Sequence, residues 1–265
     1  MRDFERAKEL FKDTIDTKSY FNSISAEIAR EKLEEAIRAR EIPLIFIMGE
    51  PGVGKSYMLH IMREKFSEMM LTILISRPFF DKRDFYKILY TALGFAWEED
   101  VDLLSLENFL IETYSGVSHV IFIDEAQLLN QTHMEMLRIL SDTKAFQFVI
   151  AMHKMECIAL FKQKQWHSRS MIIEYGNLEE AEVMRYIQSL FLMHTLSDVA
   201  TLFTRNDMKV IYKYTQGNFR TLKRFFYTVM KLLSYAKEQK LSHYSKITTC
   251  LLTMAALDMG LIHDA

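Results

Sequence analysis

One segment of the chain constrains its fold more than any other: Gly49-Glu50-Pro51-Gly52-Val53-Gly54-Lys55-Ser56, directly after the apolar run Leu44–Met48. A strand that leads into a glycine-rich turn and then a helix is the context of a phosphate-binding loop. Glycines let the backbone fold back so that successive N–H groups point inward, and the following helix adds the positive end of its dipole. The alternative is an ordinary turn between a strand and a helix.

The chemistry of this loop depends on two residues at its end. Lys55 is predicted to reach the β- and γ-phosphates of ATP or GTP, and the Ser56 hydroxyl is predicted to hold Mg²⁺. The predicted nucleotide-binding residues are Gly49, Glu50, Pro51, Gly52, Val53, Gly54, Lys55, Ser56 and Tyr57.

A second motif supplies acids, which a hydrolase of this kind needs beside its phosphate loop. The apolar run Val120–Ile123 predicts a strand buried on both faces of a parallel sheet, and Asp124 and Glu125 follow at its carboxyl end. Ligands of open α/β sheets bind at that edge. Asp124 is predicted to hold Mg²⁺ through its water shell, and Glu125 to polarise the attacking water. The alternative is that both acids cap the next helix.

Composition places the chain among ordinary globular proteins, with 49% hydrophobic and 26% charged residues. Cys157 and Cys250 form no C-x-x-C pattern, which argues against a zinc site or a disulfide framework. The charged segment Met1–Lys12 is not a signal peptide, and no apolar run reaches the roughly 20 residues that span a bilayer. We therefore expect a cytoplasmic protein, which a partner can recruit to the inner membrane face.

Charge is unevenly distributed along the chain. Residues 94–142 carry ten acids against Arg138 alone, and residues 205–246 carry ten bases against Asp207 and Glu238. The net charges are −9 and +8. This asymmetry suits binding to nucleic acid or to an anionic surface, or charge-complementary packing between identical subunits. The alternative is that charged, solvated helix faces happen to cluster in these segments.

Strands and helices alternate through the first two thirds of the chain, which indicates a parallel α/β sheet flanked by helices. The predicted strands are Leu44–Met48, Leu71–Ile75, Val120–Ile123, Phe146–Ile150 and Met171–Ile173. The predicted helices are Ser25–Arg40, Tyr57–Met70, Phe85–Leu93, Ser105–Tyr114 and Thr132–Leu140. The strand Leu71–Ile75 and the helices after it separate the two motifs along the chain. This separation is expected where an extra strand is inserted between the two strands that carry the motifs.

The pattern changes near Gly176. Four helical segments follow without a strand: 179–194, 207–214, 218–240 and 246–259. We predict two domains: residues 1–176, with N-terminal helices and a P-loop ATPase sheet, and an all-helical lid at residues 177–265. This layout is that of AAA+ ATPases.

Several segments resemble one AAA+ group, the ATPases similar to general secretion pathway protein A (ExeA) and their relatives among transposition (TniB-like) ATPases. The similarity covers most of the chain. It lies in Tyr20–Ser23 before the phosphate loop, in Asp124-Glu125-Ala126-Gln127, in Asn177–Glu182, in Gly217–Leu222 and in Thr248–Ile262.

The resemblance implies roles for two arginines. Arg220 would be the lid arginine that contacts the γ-phosphate within one subunit, although Phe219 replaces the family's proline before it. Arg169 would be the arginine finger that reaches a neighbour's site, where a guanidinium stabilises charge on the transferred phosphoryl group. Both arginines are also explained as ordinary surface residues.

The resemblance also implies that a polar residue follows the strand ending near Ala151 and orients the attacking water. His153 is the nearest candidate, where the family usually has glutamine. Tyr20, Phe21 and Ile24 are candidates for an adenine pocket, and core packing explains them equally well.

Together these features predict an ATPase that uses ATP and Mg²⁺, forms a homo-oligomer when ATP is bound, and drives a partner machine. The resemblance favours a protein partner in an inner-membrane secretion, pilus or DNA-uptake machine. The alternatives are a transposition-type regulator that binds duplex DNA through its basic lid, and a nucleotide-gated scaffold with little turnover.

Overall fold

A computed structural model describes residues 2–12, 21–117, 119–244 and 246–262. The chain divides into two compact units. The first unit is Ala26–Gly176, and the second combines Met1–Ser25 with Asn177–Ala265.

The first unit is built on a five-stranded sheet in which every pair of neighbours is parallel. Its strand order is β2-β3-β4-β1-β5. The central strands β1, β3 and β4 are continuous apolar runs because helices cover both faces of the sheet. The strands are β1 (Leu44–Gly49), β2 (Leu71–Ile75), β3 (His119–Ile123), β4 (Gln147–His153) and β5 (Ser170–Glu174).

The strand order confirms the predicted class and corrects one detail. The strand between the two motif-bearing strands is β4, which pairs with β1 on one side and β3 on the other. Leu71–Ile75, the strand that separates the motifs along the chain, is instead β2 at the sheet edge. Position along the chain therefore did not predict position in the sheet.

Helices of the first unit pack on the sheet through large apolar side chains. Phe46 on β1 makes edge-to-face contacts with Phe161 and Trp166, with ring centroids 5.1 and 6.1 Å apart. The helices are α2 (Ile24–Ala39), whose first two residues belong to the second unit, α3 (Lys55–Phe66), α4 (Lys82–Ala92), α5 (Leu103–Tyr114), α6 (Gln131–Asp142) and α7 (Lys154–Phe161). The helix α7 was not predicted.

Among the residues that the structure describes, the second unit contains helices and connecting loops but no strand. Its longest helix, α11, is amphipathic and buries Leu222, Phe225, Phe226 and Val229 in the core of the unit. The helices are α1 (Arg2–Glu9), α8 (Glu180–Met193), α9 (Ser197–Ala200), α10 (Arg205–Thr215), α11 (Phe219–Glu238) and α12 (Thr249–Asp258).

The N-terminal helix corrects the predicted domain division. Phe11, just after α1, stacks on Phe226 of α11 with ring centroids 5.1 Å apart and meets Phe191 edge-on at 5.7 Å. Because these apolar contacts lie within the helical unit, α1 belongs there and not with the sheet as predicted. In the part of the chain that the structure describes, no helix has the length and hydropathy needed to cross a membrane.

Candidate nucleotide site

The loop between β1 and α3 has the backbone conformation that its glycines allow. Gly52 has φ 81° and Gly54 has φ 110°, values that side-chain-bearing residues rarely adopt. The helix α3 begins directly afterwards, at Lys55. The first N–H groups of that helix have no partner within it, so the loop and helix together offer the donors that an anion binds.

The Lys55 side chain lies inside this loop. Only 8% of the residue is exposed, and its Nζ donates to the carbonyl oxygens of Gly49 at 2.8 Å and Glu50 at 3.0 Å. A buried ammonium needs such acceptors. Phosphate oxygens are stronger acceptors than amide carbonyls because they carry charge, so this position suits an ammonium that binds a triphosphate.

Tyr175 is a residue of this site that the sequence did not reveal. Its backbone N–H donates to the carbonyl oxygen of Met48 at 2.7 Å. A Cβ at Gly49 would lie 2.4 Å from the Tyr175 carbonyl oxygen, and one at Gly54 would lie 3.5 Å from its ring. Tyr175, the residue after β5, therefore supports the phosphate loop, although it is far from that loop in sequence.

The acid pair lies at the carboxyl end of β3. Asp124 is buried, with 8% exposed, and its backbone N–H donates to the carbonyl oxygen of Ile75 at 2.9 Å. Its Oδ1 accepts from the backbone N–H of Glu125 at 2.9 Å. The capping alternative is wrong for the next α-helix, because Asn130 caps α6 by accepting from the backbone N–H of His133 at 3.0 Å.

Two polar side chains converge on the Glu125 carboxylate. Its Oε2 accepts a hydrogen bond from Gln127 Nε2 and lies 3.9 Å from His153 Nε2. His153 ends β4 and is paired in register with Gly49. The structure therefore brings the phosphate loop, the acid pair and His153 to one edge of the sheet. Gln127 was missed as a site residue, although it lies in the quoted Asp124–Gln127 motif.

Comparisons with known proteins agree with this geometry. A family model described as an AAA domain matches residues 39–161. The fold is that of an AAA+ P-loop NTPase. Comparison with curated proteins finds no match.

Solved AAA+ structures resemble the chain over most of its length. Domain III of the Thermotoga maritima replication initiation protein DnaA is 12% identical, with a TM-score of 0.54, and the alignment covers 93% of this chain and 97% of that one. Drosophila ORC bound to DNA is 16% identical, with a TM-score of 0.61. The alignment covers 98% of this chain and 70% of the ORC chain. A single-residue variant of Thermotoga maritima RuvB is 16% identical, with a TM-score of 0.51. The alignment covers 86% of this chain and 67% of the RuvB chain. At these identities the likeness concerns the fold alone.

Arg169 lies far from the phosphate loop of its own AAA+ sheet. It precedes β5, whose first residue, Ser170, pairs with Leu44 at the start of β1. Leu44 and Gly49 are separated by about 16 Å of extended strand. Arg169 Nε pairs with Asp142 Oδ1 at 3.2 Å. Arg169 therefore does not belong to the site in its own subunit, and a role at a neighbour's site remains a prediction.

Arg220 lies in the first turn of α11 in the helical unit, and its side chain is exposed. Its predicted contact with the γ-phosphate stays a prediction. Phe21 packs edge-on against Tyr186 of the same unit, with ring centroids 5.4 Å apart. The Ile24 backbone N–H donates to Glu182 Oε1 at 2.7 Å. Tyr20 lies outside the described residues.

The oxygen donors at the sheet edge suit Mg²⁺. Among the residues that the structure describes, no three His, Cys, Asp or Glu side chains form a metal cluster. Mg²⁺ does not require one, because it usually keeps several waters and is held by one or two carboxylates together with substrate phosphates. Ser56 and Asp124 are the residues that would hold it.

Proposed function

We propose that this chain binds and hydrolyses ATP and couples the cycle to assembly or remodelling of a partner complex. The observation that carries the proposal is the shared sheet edge. It presents Lys55 inside a glycine loop on β1 and the pair Asp124 and Glu125 on β3, with β4 between them. The inserted strand separates the acid from the loop, which leaves space for a water molecule between Glu125 and a bound γ-phosphate.

Each residue of this edge has a part in hydrolysis by in-line attack. The loop N–H groups and Lys55 bind the phosphates and neutralise charge on the transferred group. Glu125 accepts the proton of the attacking water, and His153 helps to orient that water. Bound Mg²⁺, held by Ser56 and Asp124, would neutralise charge that develops on the β- and γ-phosphate oxygens.

The first experiment separates nucleotide binding from turnover. Glu125→Gln keeps the shape of the side chain but removes the base, so we expect unchanged MgATP affinity by calorimetry and hydrolysis slowed at least about 100-fold. The exposed Glu112 on α5 provides a matched control, and Glu112→Gln should match the wild type.

Two outcomes would change this view. Absence of MgATP binding by the wild-type protein would refute the nucleotide site. Equal, very slow hydrolysis by the wild type and Glu125→Gln would instead identify a nucleotide-gated scaffold.

We propose, from the family resemblance, that the client belongs to a membrane secretion, pilus or DNA-uptake machine. This client is supported by the family resemblance alone. A pull-down with Glu125→Gln trapped with ATP tests it. Recovery of inner-membrane assembly components in the ATP state, and not in its absence, is the expected result.

A DNA-binding regulatory ATPase is the second candidate, and the net charge of +8 over residues 205–246 favours it. One structure with this fold, Drosophila ORC, is bound to DNA. The test is the affinity for duplex DNA with and without ATP between about 50 and 200 mM salt. Affinity that needs ATP and falls steeply with salt supports this candidate, and absence of binding at low salt excludes it.

A further inference from the structure

We propose that one face of α11 binds the phosphate backbone of duplex DNA. We call it the cationic face of α11 and define it by Arg220, Lys223, Arg224 and Lys231. Arg220 is also the residue that the family resemblance assigns to the γ-phosphate, so the test below leaves it unchanged. The proposal rests on the second candidate function and deepens it by assigning the surface that contacts DNA.

Helical geometry places the four cations side by side. At 3.6 residues per turn they fall within an arc of about 100° on α11, and the rise of 1.5 Å per residue spreads them over about 16 Å. The opposite side of the helix is buried against the core of the unit through Leu222, Phe225, Phe226 and Val229. This packing fixes which face points outward.

Two of the four charges on this face are available to a ligand. Arg224 and Lys231 are exposed, and neither forms an ion pair with any residue that the structure describes. The acid on α11 is Glu238, its last residue. By contrast, Arg138 on α6 is neutralised by Glu135 and Asp142.

A cavity shows that part of this face is concave. It has a volume of about 430 Å³, and the cations that line it are Lys12, Arg220, Lys223 and Arg224. One acid, Asp258, also lines it, and Tyr227 contributes a phenol hydroxyl that can donate to a phosphate oxygen. Lys12 is paired with Glu9, so Arg220, Lys223 and Arg224 against Asp258 give this opening a net positive charge, which favours an anion.

The shape and composition of the face favour DNA over a membrane. A helix that lies on a membrane inserts large apolar side chains beside its cations. On α11 the exposed large hydrophobic residue is Tyr235, which also carries a hydroxyl. Duplex DNA carries one charge per about 1.7 Å of its axis, so a row of cations about 16 Å long faces about nine phosphate charges.

The test compares two double variants with the same change in charge. Arg224→Gln with Lys231→Gln alters the cationic face, and Lys209→Gln with Lys213→Gln alters two exposed lysines of α10 in the same unit. Fluorescence anisotropy on a labelled duplex, with a non-hydrolysable ATP analogue, gives the affinity between about 50 and 200 mM KCl. Vesicles containing phosphatidylserine form a parallel arm.

We expect the α11 double variant to bind duplex DNA roughly 10- to 100-fold more weakly near 0.1 M salt and to lower the log–log salt slope by about 1.8, since each phosphate contact contributes about 0.9. The single variant Lys231→Gln, whose side chain has no ion-pair partner among the described residues, should lower the slope by about 0.9. The α10 double variant should bind like the wild type.

Three results would overturn the proposal: equal weakening by both double variants, no weakening by the α11 variants, or wild-type protein that binds the vesicles and not DNA. Thermal unfolding of each variant shows whether it is folded. Hydrolysis dependent on Glu125 is measured on the same samples without DNA, so the ATPase function is judged separately from the DNA surface.

Discussion

Glu125 combines an unusual backbone with a constrained side chain. Its φ of 52° lies in the left-handed region, which costs a residue with a side chain about 1–2 kcal/mol. The hydrogen bond from its N–H to Asp124 Oδ1 and the bond from Gln127 to its carboxylate hold it in this conformation. Such strain is retained where the surrounding structure over-determines it, and active sites are frequent examples.

Gln127 is expected to position the Glu125 carboxylate. In Gln127→Ala the carboxylate loses its donor and turns away from the attacking water, so we expect hydrolysis at saturating ATP to fall about 10-fold. The affinity for MgATP should not change. Calorimetry and steady-state hydrolysis measure the two quantities, with Gln131→Ala at the exposed start of α6 as control. An unchanged hydrolysis rate would show that Gln127 has no such role.

His119 makes stability depend on pH. It is buried at the start of β3 with Tyr114 edge-on at 4.6 Å, and this burial, reinforced by the charge of Arg40, lowers its pKa below the usual 6.5. Below about pH 6.5 the unfolded chain binds a proton that the folded chain resists. The contribution of neutral His119 to the free energy of unfolding is therefore complete above about pH 6.5. It is lost as the pH falls through the folded-state pKa of His119.

Urea unfolding from about pH 7.5 to about pH 5.5 measures this effect. The free energy of unfolding should decrease as the pH falls, and the decrease should be smaller in His119→Gln than in the wild type. His60→Gln, at a half-exposed position on α3, should retain the wild-type pH dependence. The same decrease in all three proteins would assign it to other groups.

Among the elements, β1, the loop and β5 form the support of the phosphate site. Gly49 ends β1 directly below the loop, and the carbonyl of Tyr175 approaches it so closely that no side chain fits. The positive φ angles of Gly52 and Gly54 form the turn, while Gly49 provides space. These glycines thus serve two different purposes within one motif.

Gly49→Ala should separate β1 from β5. The added methyl group meets a backbone oxygen that cannot move without the strand, so we expect the free energy of unfolding to fall by about 1–3 kcal/mol and MgATP affinity to fall with it. Gly116→Ala is the control for backbone strain without a clash: its φ of 80° makes an alanine cost about 1 kcal/mol, but a Cβ there meets nothing within 4 Å, so MgATP affinity should not change. Urea unfolding and calorimetry provide the readouts. Full stability with normal ATP affinity would contradict the predicted clash.

Most elements were predictable because their patterns are local. The apolar runs of β1, β3 and β4 and the amphipathic period of α11 were recognised from the sequence. Helix ends were less accurate, since they depend on caps: Asp81 accepts from the Asp84 N–H and starts α4 three residues before the predicted Phe85. The helix α7 has apolar residues around its circumference and therefore gave no clear periodic signal.

For the molecule as a whole, Arg169 is predicted to connect activity with assembly. Its position near the start of β5 excludes it from its own site, so its predicted catalytic role requires a second subunit. Arg169→Ala should keep MgATP affinity and slow hydrolysis about 10³-fold, the lower end of the range for arginine fingers.

Mixing two inactive proteins tests this transfer between subunits. Arg169→Ala retains Glu125, and Glu125→Gln retains Arg169, so a mixed oligomer contains complete sites. We expect the mixture to hydrolyse ATP well above either variant alone, whereas Arg205→Ala should be active by itself. A mixture no more active than its components would exclude Arg169 as a finger from a neighbour.

The nucleotide motifs, the parallel α/β class and the helical second unit follow from short-range patterns in the chain, because each strand, loop and helix start is specified by neighbouring residues. Other features depend on pairing between distant segments: β4 between the motif strands, Tyr175 against Gly49, and α1 within the helical unit. Spacing along the chain does not encode these features, since they arise from which apolar surfaces pack together once the elements have formed.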